Sequence, residues 1–183
     1  STLVLGNNFA LGSGRLVFNG GNLRYDFGPN NLVTASITLD NQVVLQGDWS
    51  TSSGSELVLN GNVAMSDVVG TGATRIWNLT GSGAMAVGLT SGSSVAGVIS
   101  GAEGSNLIKR GAQQVAFRGN NSYQGYTQID RGEIVVVGNV LPGVSGPLGV
   151  SNSPIVLGVE TTNAPGSLGI GGKFTVGRDI IVS

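Results

Sequence analysis

The chain carries few side chains that could act in acid–base or nucleophilic chemistry. It contains no His and no Cys, which excludes Ser-His-Asp and Cys-His catalysis together with the usual zinc sites. Carboxylates remain, but no Asp-Asp or Asp-x-Asp pair is present, and the acids are scattered. They include Asp26, Asp40, Asp48, Asp67, Asp130 and Asp179. We therefore expect no catalytic residues. A polysaccharide-degrading enzyme that uses Asp40, Asp48 and Asp130 is the less favoured alternative.

One segment, YDFGPNN, has a composition that would suit a calcium loop, because Asp26, Gly28 and Asn30 alternate in it. An EF-hand loop, however, needs alternating acids that end in Glu, and the calcium-binding nonapeptide needs several copies. The chain has neither pattern. We predict a turn at this position, and no metal or cofactor site in the protein.

The composition favours an all-β protein with many turns. Of 183 residues, 32 are Gly, and only 10% are charged, against about a quarter in ordinary globular domains. The net charge of −1 gives no electrostatic reason to expect nucleic acid or an anionic membrane as a partner. No apolar run approaches the ~20 residues of a membrane-spanning helix, and no signal peptide is visible at Ser1.

Short apolar segments separated by Gly, Asn and Ser clusters predict strands, and no window has the period of a helix. Several segments alternate apolar and other residues, as strands with one buried face do. The predicted strands are Leu3–Leu5, Leu16–Phe18, Ile37–Leu39, Val43–Leu45, Leu57–Leu59, Ile76–Leu79, Val95–Ile99, Leu107–Ile108, Val115–Phe117, Ile134–Val137, Ile155–Val159, Phe174–Val176 and Ile180–Val182.

The most specific pattern is LIKRGAQQVAFRGNNSYQGYTQIDRGEI, residues 107–134. Its matching residues are Leu107, Lys109, Gly111, Val115, Phe117, Gly119, Asn121, Ser122, Tyr123, Gly125, Thr127, Ile129, Gly132 and Ile134. In these residues it resembles the autotransporter-associated β-strand repeat of bacterial surface and secreted proteins. It departs from that repeat at Gln113, Gln114 and Tyr126, where Gly or Thr is usual.

The resemblance implies one rung of a single-stranded, right-handed parallel β-helix (a β-solenoid). We expect residues 1–183 to form one such segment of about eight coils, with essentially no helix and with residues 107–134 as its repeat motif. Segments that flank the motif read like neighbouring coils. A sandwich of two sheets would also show short strands and turns, and it stays the alternative fold.

Charged and aromatic residues near the motif have two readings. Lys109, Arg110, Arg118 and Arg131 are expected to be solvated residues at sheet edges, and a patch for acidic polysaccharide is the alternative. The resemblance makes Tyr123 a turn-packing residue. Tyr126 is then the better candidate for contact with a sugar ring. Trp49 and Trp77 are expected to cover the edge of a coil.

These expectations describe a non-enzymatic rod or stalk of a bacterial extracellular or surface protein, adhesive if its loops bind a glycan or another cell-surface ligand. No cap is recognised in the sequence at either end. The alternative is therefore a subunit of an extracellular filament in which copies stack head to tail. The candidate contact residues at the ends are Leu3, Val4, Leu5, Ile180, Ile181 and Val182.

Overall fold

The structure is a computed structural model that describes residues 1–25, 36–52, 56–81, 85–87 (backbone alone), 97–158 and 165–183. These residues form eighteen β-strands and no helix. The strands are β1 (Thr2–Leu5), β2 (Leu16–Phe18), β3 (Asn22–Tyr25), β4 (Ile37–Leu39), β5 (Val43–Leu45), β6 (Trp49–Thr51), β7 (Leu57–Leu59), β8 (Val63–Ala64), β9 (Arg75–Leu79), β10 (Met85–Val87), β11 (Ile99–Ser100), β12 (Leu107–Arg110), β13 (Gln114–Phe117), β14 (Thr127–Ile129), β15 (Gly132–Val136), β16 (Ile155–Leu157), β17 (Gly166–Ile170) and β18 (Ile180–Val182).

The strands form three parallel sheets. The first sheet has eight strands in the order β1-β3-β6-β9-β12-β14-β16-β18. The second has six, β17-β15-β13-β10-β7-β4, and the third has four, β11-β8-β5-β2. From β3 to β13 the chain visits the first, second and third sheets in the same repeating order. The prediction of an all-β protein with essentially no helix is confirmed for the described residues, and the pairing within each sheet is parallel.

Hydrogen-bonded neighbours in the first sheet are therefore separated by a passage of the chain through one or both of the other sheets. Leu107 in β12, for example, is paired with Arg75 in β9 and with Thr127 in β14. Because parallel pairing keeps side chains of the same parity on the same face, inward residues form columns that run across the strands. The buried side chains of these columns make one hydrophobic core.

Aromatic side chains occupy the middle of this core. Ring centroids of Phe18 and Trp49 lie 5.3 Å apart, those of Trp49 and Trp77 also 5.3 Å, and those of Trp77 and Phe117 5.8 Å. Trp49 and Trp77 are paired in register on β6 and β9 and are buried. The expectation that these tryptophans cover a coil edge was wrong, because strand alternation turns both side chains inward.

Residues 7–14 lie against the edge of the second sheet at β4. The side-chain oxygen of Asn8 accepts a hydrogen bond from the Thr38 amide (3.1 Å), and Asn41 donates to the carbonyls of Gly12 and Gly14. Leu11 packs against the core. This segment satisfies one donor of an edge strand, so the expectation that no cap is present was wrong at this edge.

Most of the predicted strands are present within one or two residues. Phe174–Val176 is not a strand, since only Val176 makes an isolated bridge, to Val140. Conversely, five strands were not predicted, namely β3, β6, β8, β10 and β17. Val95 and Ala96 lie outside the described residues, and β11 begins at Ile99. None of the described residues belongs to a helix of the length and apolarity needed to cross a bilayer.

Candidate functional site

The described aspartates are used to join strands rather than to form an acidic cluster. Four of them accept a hydrogen bond from a group 20 to 28 residues away. The pairs are Asp40 with Asn60 (2.6 Å), Asp48 with the Ile76 amide (2.9 Å), Asp67 with Gln46 (2.7 Å) and Asp130 with Arg110 (2.8 Å). Asp179 is exposed, and Asp26 lies outside the described residues. In the part of the chain that is described, no group of three metal-ligating side chains comes together.

Lys109 is the centre of the motif's hydrogen bonds. Its side chain is fully buried, and its Nζ donates to the carbonyls of Arg110 (2.9 Å), Gly111 (2.6 Å) and Arg131 (3.0 Å). Burial, and secondarily the nearby Arg131 charge, lower the pKa of Lys109 from 10.5 to about 8. The expectation of a solvated edge lysine was wrong. Strand alternation places Lys109 on the same inward face as Leu107.

The other three basic residues of the motif segment are exposed as expected, but Arg110 lies in an inner strand of the first sheet and not at a sheet edge. Arg110, Arg118 and Arg131 are exposed, and Arg110 forms an ion pair with the nearly buried Asp130 at 2.8 Å. Because one of these three charges is already paired and Lys109 is buried, the segment offers only a weak cationic surface to an acidic polysaccharide.

Glycines of the motif mark places where two backbones approach closely. A Cβ on Gly111 would lie 2.1 Å from the Leu79 carbonyl oxygen, and Gly111 also has a φ of +77°. A Cβ on Gly125 would lie 2.2 Å from the Ser105 oxygen, and one on Gly119 would lie 2.7 Å from the Gly97 oxygen. Real Cβ atoms do not approach other atoms so closely, so these positions require glycine.

Asn121 connects two segments that lie outside its own turn. Its Oδ1 accepts a hydrogen bond from the Ile99 amide (2.8 Å), and its Nδ2 donates to the Pro147 carbonyl (2.7 Å). The side chain is fully buried. Asn121 thus satisfies the Ile99 amide and the Pro147 carbonyl, two backbone groups that are not bonded to a neighbouring strand.

Tyr123 packs inside the turn, as the sequence predicted. Its hydroxyl and that of Thr127 lie 2.7 Å apart, and both side chains are fully buried. A Cβ on Gly149 would lie 3.1 Å from two atoms of the Tyr123 ring. Burial raises the pKa of Tyr123 to about 12, despite opposing effects of the Thr127 hydrogen bond and of Arg178.

The other five apolar residues of the motif extend the core, and among them Val115, Phe117 and Ile134 are fully buried. Leu107 and Ile129 are fully buried, and Ile129 is paired with Lys109 across β12 and β14. Gly132 begins β15 with a φ of +76°. The predicted motif residues therefore lie in one region, where strands β12 to β15 and their turns meet.

Two buried residues of this region were missed by sequence reasoning. Arg178 is 5% exposed and donates to the carbonyls of Ser153 and Leu148, both at 2.8 Å. Its Nη2 has no hydrogen-bond partner among the described residues, and burial lowers its pKa. Gln113 accepts a hydrogen bond from Thr51 at 3.0 Å across 62 residues of sequence.

The residues predicted as assembly contacts lie at opposite edges of the first sheet. Leu3 and Val4 in β1 are 36% and 49% exposed, whereas Leu5 is buried. In β18, exposure is 46% at Ile180, 48% at Ile181 and 78% at Val182. Both sets are thus available for contact, except for Leu5, which the core already covers.

The register of the first sheet constrains any direct contact between these edges. Val182 continues the column of Trp49 and Trp77, and at the opposite edge of the sheet this column reaches Ser1, the residue before β1. A second copy that paired Val182 with Leu5 would have to slide four residues along the strand, about 13 Å. Such a slide would take the other two sheets out of alignment, so the register disfavours this joint.

Comparison with family models, curated proteins and solved structures finds no match to this chain. Its function has to be argued from the sheets and their turns.

Proposed function

We propose that the chain is a right-handed, single-stranded β-solenoid that serves as a rigid, non-enzymatic rod in a bacterial extracellular or surface protein. The observation that carries this proposal is the order of the sheets. From β3 to β13, successive strands return to the same three parallel sheets in the same sequence, and inward residues stack in columns. A chain that winds as a helix of strands produces this order, and parallel crossovers are nearly always right-handed.

The proposed mechanism is mechanical. Each inner strand of the first sheet is hydrogen bonded to a strand on either side, and eight strands spaced about 4.8 Å apart span about 34 Å. Side chains add connections at the turns. Lys109 joins the carbonyls of Gly111 and Arg131, and Asn121 joins the segments of Ile99 and Pro147. A load along the stack is shared among these bonds.

The proposed extracellular location and the proposed absence of catalysis are supported by the types of residue in the chain and by their contacts. The motif of residues 107–134 resembles a repeat of exported bacterial proteins, and its residues serve packing and hydrogen bonding in the structure. The chain has neither His nor Cys, and four aspartates are bonded to neighbouring strands. A surface rod needs no other chemistry, and the lack of Cys suits export as an unfolded chain.

Electron–electron distance measurements test the rod. The chain has no native Cys, so spin labels can be attached to a V4C/I181C double variant at exposed positions of β1 and β18. A rigid stack gives one narrow distribution of distances between the two labels, centred at about 35 Å. The same protein in guanidinium chloride supplies the broad control distribution. A broad distribution in native buffer would contradict the proposal.

A second experiment addresses the setting. Intact bacterial cells that produce the natural polypeptide are treated with an external protease at increasing concentration. Peptides from exposed loops, such as the segment with Val68 and Val69, are expected in the supernatant before peptides from β12 to β15. If intact cells release none of these peptides, and the peptides appear only after lysis, an external location is contradicted.

A further inference from the structure

The outward face of the first sheet combines three columns of side chains. Inward residues such as Trp77 and Lys109 are buried, so by strand alternation their neighbours along the strand face outward. The polar column contains Thr2, Asn22, Ser50 and Asn78, which are paired in register across β1, β3, β6 and β9.

An aliphatic column runs beside the polar one. Ile76 is paired with Ile108 across β9 and β12; Gln128 in β14 interrupts the column, and Val156 in β16 continues it. All three aliphatic residues are partly exposed. On the far side of this column lies Tyr126, which is also partly exposed, and whose amide is bound to the Asn106 side chain at 3.0 Å.

Part of this face is a shallow depression with unused hydrogen-bonding groups. Its volume is about 430 Å³, and Asn22, Asp48, Ser50, Ile76 and Asn78 contribute to its lining. Ser50 and Asn22 bond to each other at 3.2 Å, which fixes their orientation. The side chain of Asn78 is exposed and makes no hydrogen bond to the described residues. Asp48 uses Oδ1 for the Ile76 amide, which leaves Oδ2 free.

The charges on this face do not favour an anionic ligand. Asp48 is exposed at the depression, and the ion pair of Arg110 with Asp130 compensates the cation at the end of the polar column. A second exposed cation, Arg24 on β3, faces outward two residues from Asn22 and already interacts with another group. Among the described side chains of this face, a polyanion would meet an exposed carboxylate and only cations that already have a partner. These charges do not weaken the binding of an uncharged ligand. Its hydroxyl groups can donate hydrogen bonds to Asp48 and form hydrogen bonds with Asn78.

We propose that this face binds an uncharged, extended polysaccharide whose chain runs along the stack of strands. A pyranose ring has hydroxyl groups at its rim and C–H groups on its faces. The C–H faces lie on Ile76 and Ile108, while hydroxyl groups bond to Ser50, Asn78 and Asp48. Polar groups recur at each strand, about every 4.8 Å, so a straight glycan meets them repeatedly. This inference needs only the first sheet and not the rod function.

Titration calorimetry and ligand-detected NMR on the full chain test the proposal with defined hexasaccharides. Cellohexaose, mannohexaose and chitohexaose are uncharged and extended, and hexagalacturonate is the anionic probe of the same length. At least one uncharged hexasaccharide is expected to bind and to outcompete hexagalacturonate. N78A and Ile108→Ser should each weaken that binding by about five- to tenfold, since each removes one contact that the ligand makes.

N120A is the matched control, because Asn120 is an exposed asparagine in the turn after β13, away from the first sheet. It should bind as the unchanged protein does. The side chains of Asn78 and Ile108 point away from the core, so N78A and I108S are expected to fold. Far-UV circular dichroism checks that they do. The proposal fails if no uncharged hexasaccharide binds, if hexagalacturonate binds better, or if N78A and N120A weaken binding equally.

Discussion

The ammonium group of Lys109 lies directly against the backbone of Gly132. A Cβ on Gly132 would be 2.8 Å from Lys109 Nζ and 2.5 Å from the Gly111 carbonyl oxygen, which is itself a partner of Nζ. The lysine and the glycine therefore depend on each other. The ammonium group occupies the space that a Cβ at residue 132 would fill, and the backbone there has a left-handed φ of +76°, which glycine adopts without strain.

Replacing Gly132 with Ala should destabilise the fold by about 2–4 kcal/mol, because the collision with Lys109 adds to the cost of a positive φ. Two controls separate these effects. Gly70 has a φ of +80° with nothing within 4 Å of a Cβ, and Gly14 is open and has no positive φ. In guanidinium denaturation G70A should cost about 1 kcal/mol and G14A almost nothing. Equal losses in G132A and G70A would show that the collision is unimportant.

Lys109→Met should destabilise the protein by about 2–3 kcal/mol, measured by the denaturation midpoint. Met has a similar length but leaves three carbonyl groups without their buried donor, and unpaired buried acceptors are costly. R118M is the matched control, since Arg118 is exposed, and it should stay within about 0.5 kcal/mol of the unchanged protein. An equally stable K109M would mean that the three hydrogen bonds only offset the burial of the charge.

Stability should rise with pH above about 8 and fall again above about 10. The pKa of Lys109 is lowered from 10.5 to about 8 in the fold, so between these values the unfolded chain binds more protons, and higher pH favours folding. The pKa of Tyr123 is raised from 10.0 to about 12, so the folded protein keeps a proton that the unfolded chain loses, and higher pH favours unfolding in that range.

Denaturation at a series of pH values from about 7 to 11 measures both effects. From pH 8 to 10 the free energy of unfolding should increase by about 1–2 kcal/mol. K109M should lack this increase, and Tyr123→Phe should lack the loss above pH 10. An increase that survives in K109M would assign it to another group.

Much of the fold was predictable because its strands obey local rules. Ile37–Leu39, Val43–Leu45 and Leu57–Leu59 are short apolar segments between turn residues, and all three are strands. The strand Gly166–Ile170 was not predictable, since its two glycines disfavour a strand, and only its pairing with β15 from Gly132 to Val136 supports it. Phe174–Val176 had the composition of a strand, but only Val176 forms a bridge.

The site was less predictable, because its contacts join residues far apart in sequence. Alternation from Leu107 did place Lys109 on the inward face, yet its charge led us to predict a solvent-exposed side chain. The three carbonyls that accept its hydrogen bonds were not visible in the sequence. Arg178 depends on the carbonyls of Ser153 and Leu148, which no local pattern connects to it. The contact of Trp49 with Trp77 likewise requires the register of β6 and β9.

Asn121→Ala should destabilise the fold by about 2–3 kcal/mol, because it leaves the Ile99 amide and the Pro147 carbonyl buried without partners. Hydrogen exchange gives a local measurement, since the amide of Ile99 should lose protection more than amides of β15. Asn121→Asp can still accept from Ile99 but cannot donate to Pro147, so it should restore protection at Ile99 only in part. N120A, with the neighbouring exposed asparagine replaced, should change neither stability nor exchange. If N121A and N120A exchange alike at Ile99, Asn121 does not hold the two segments together.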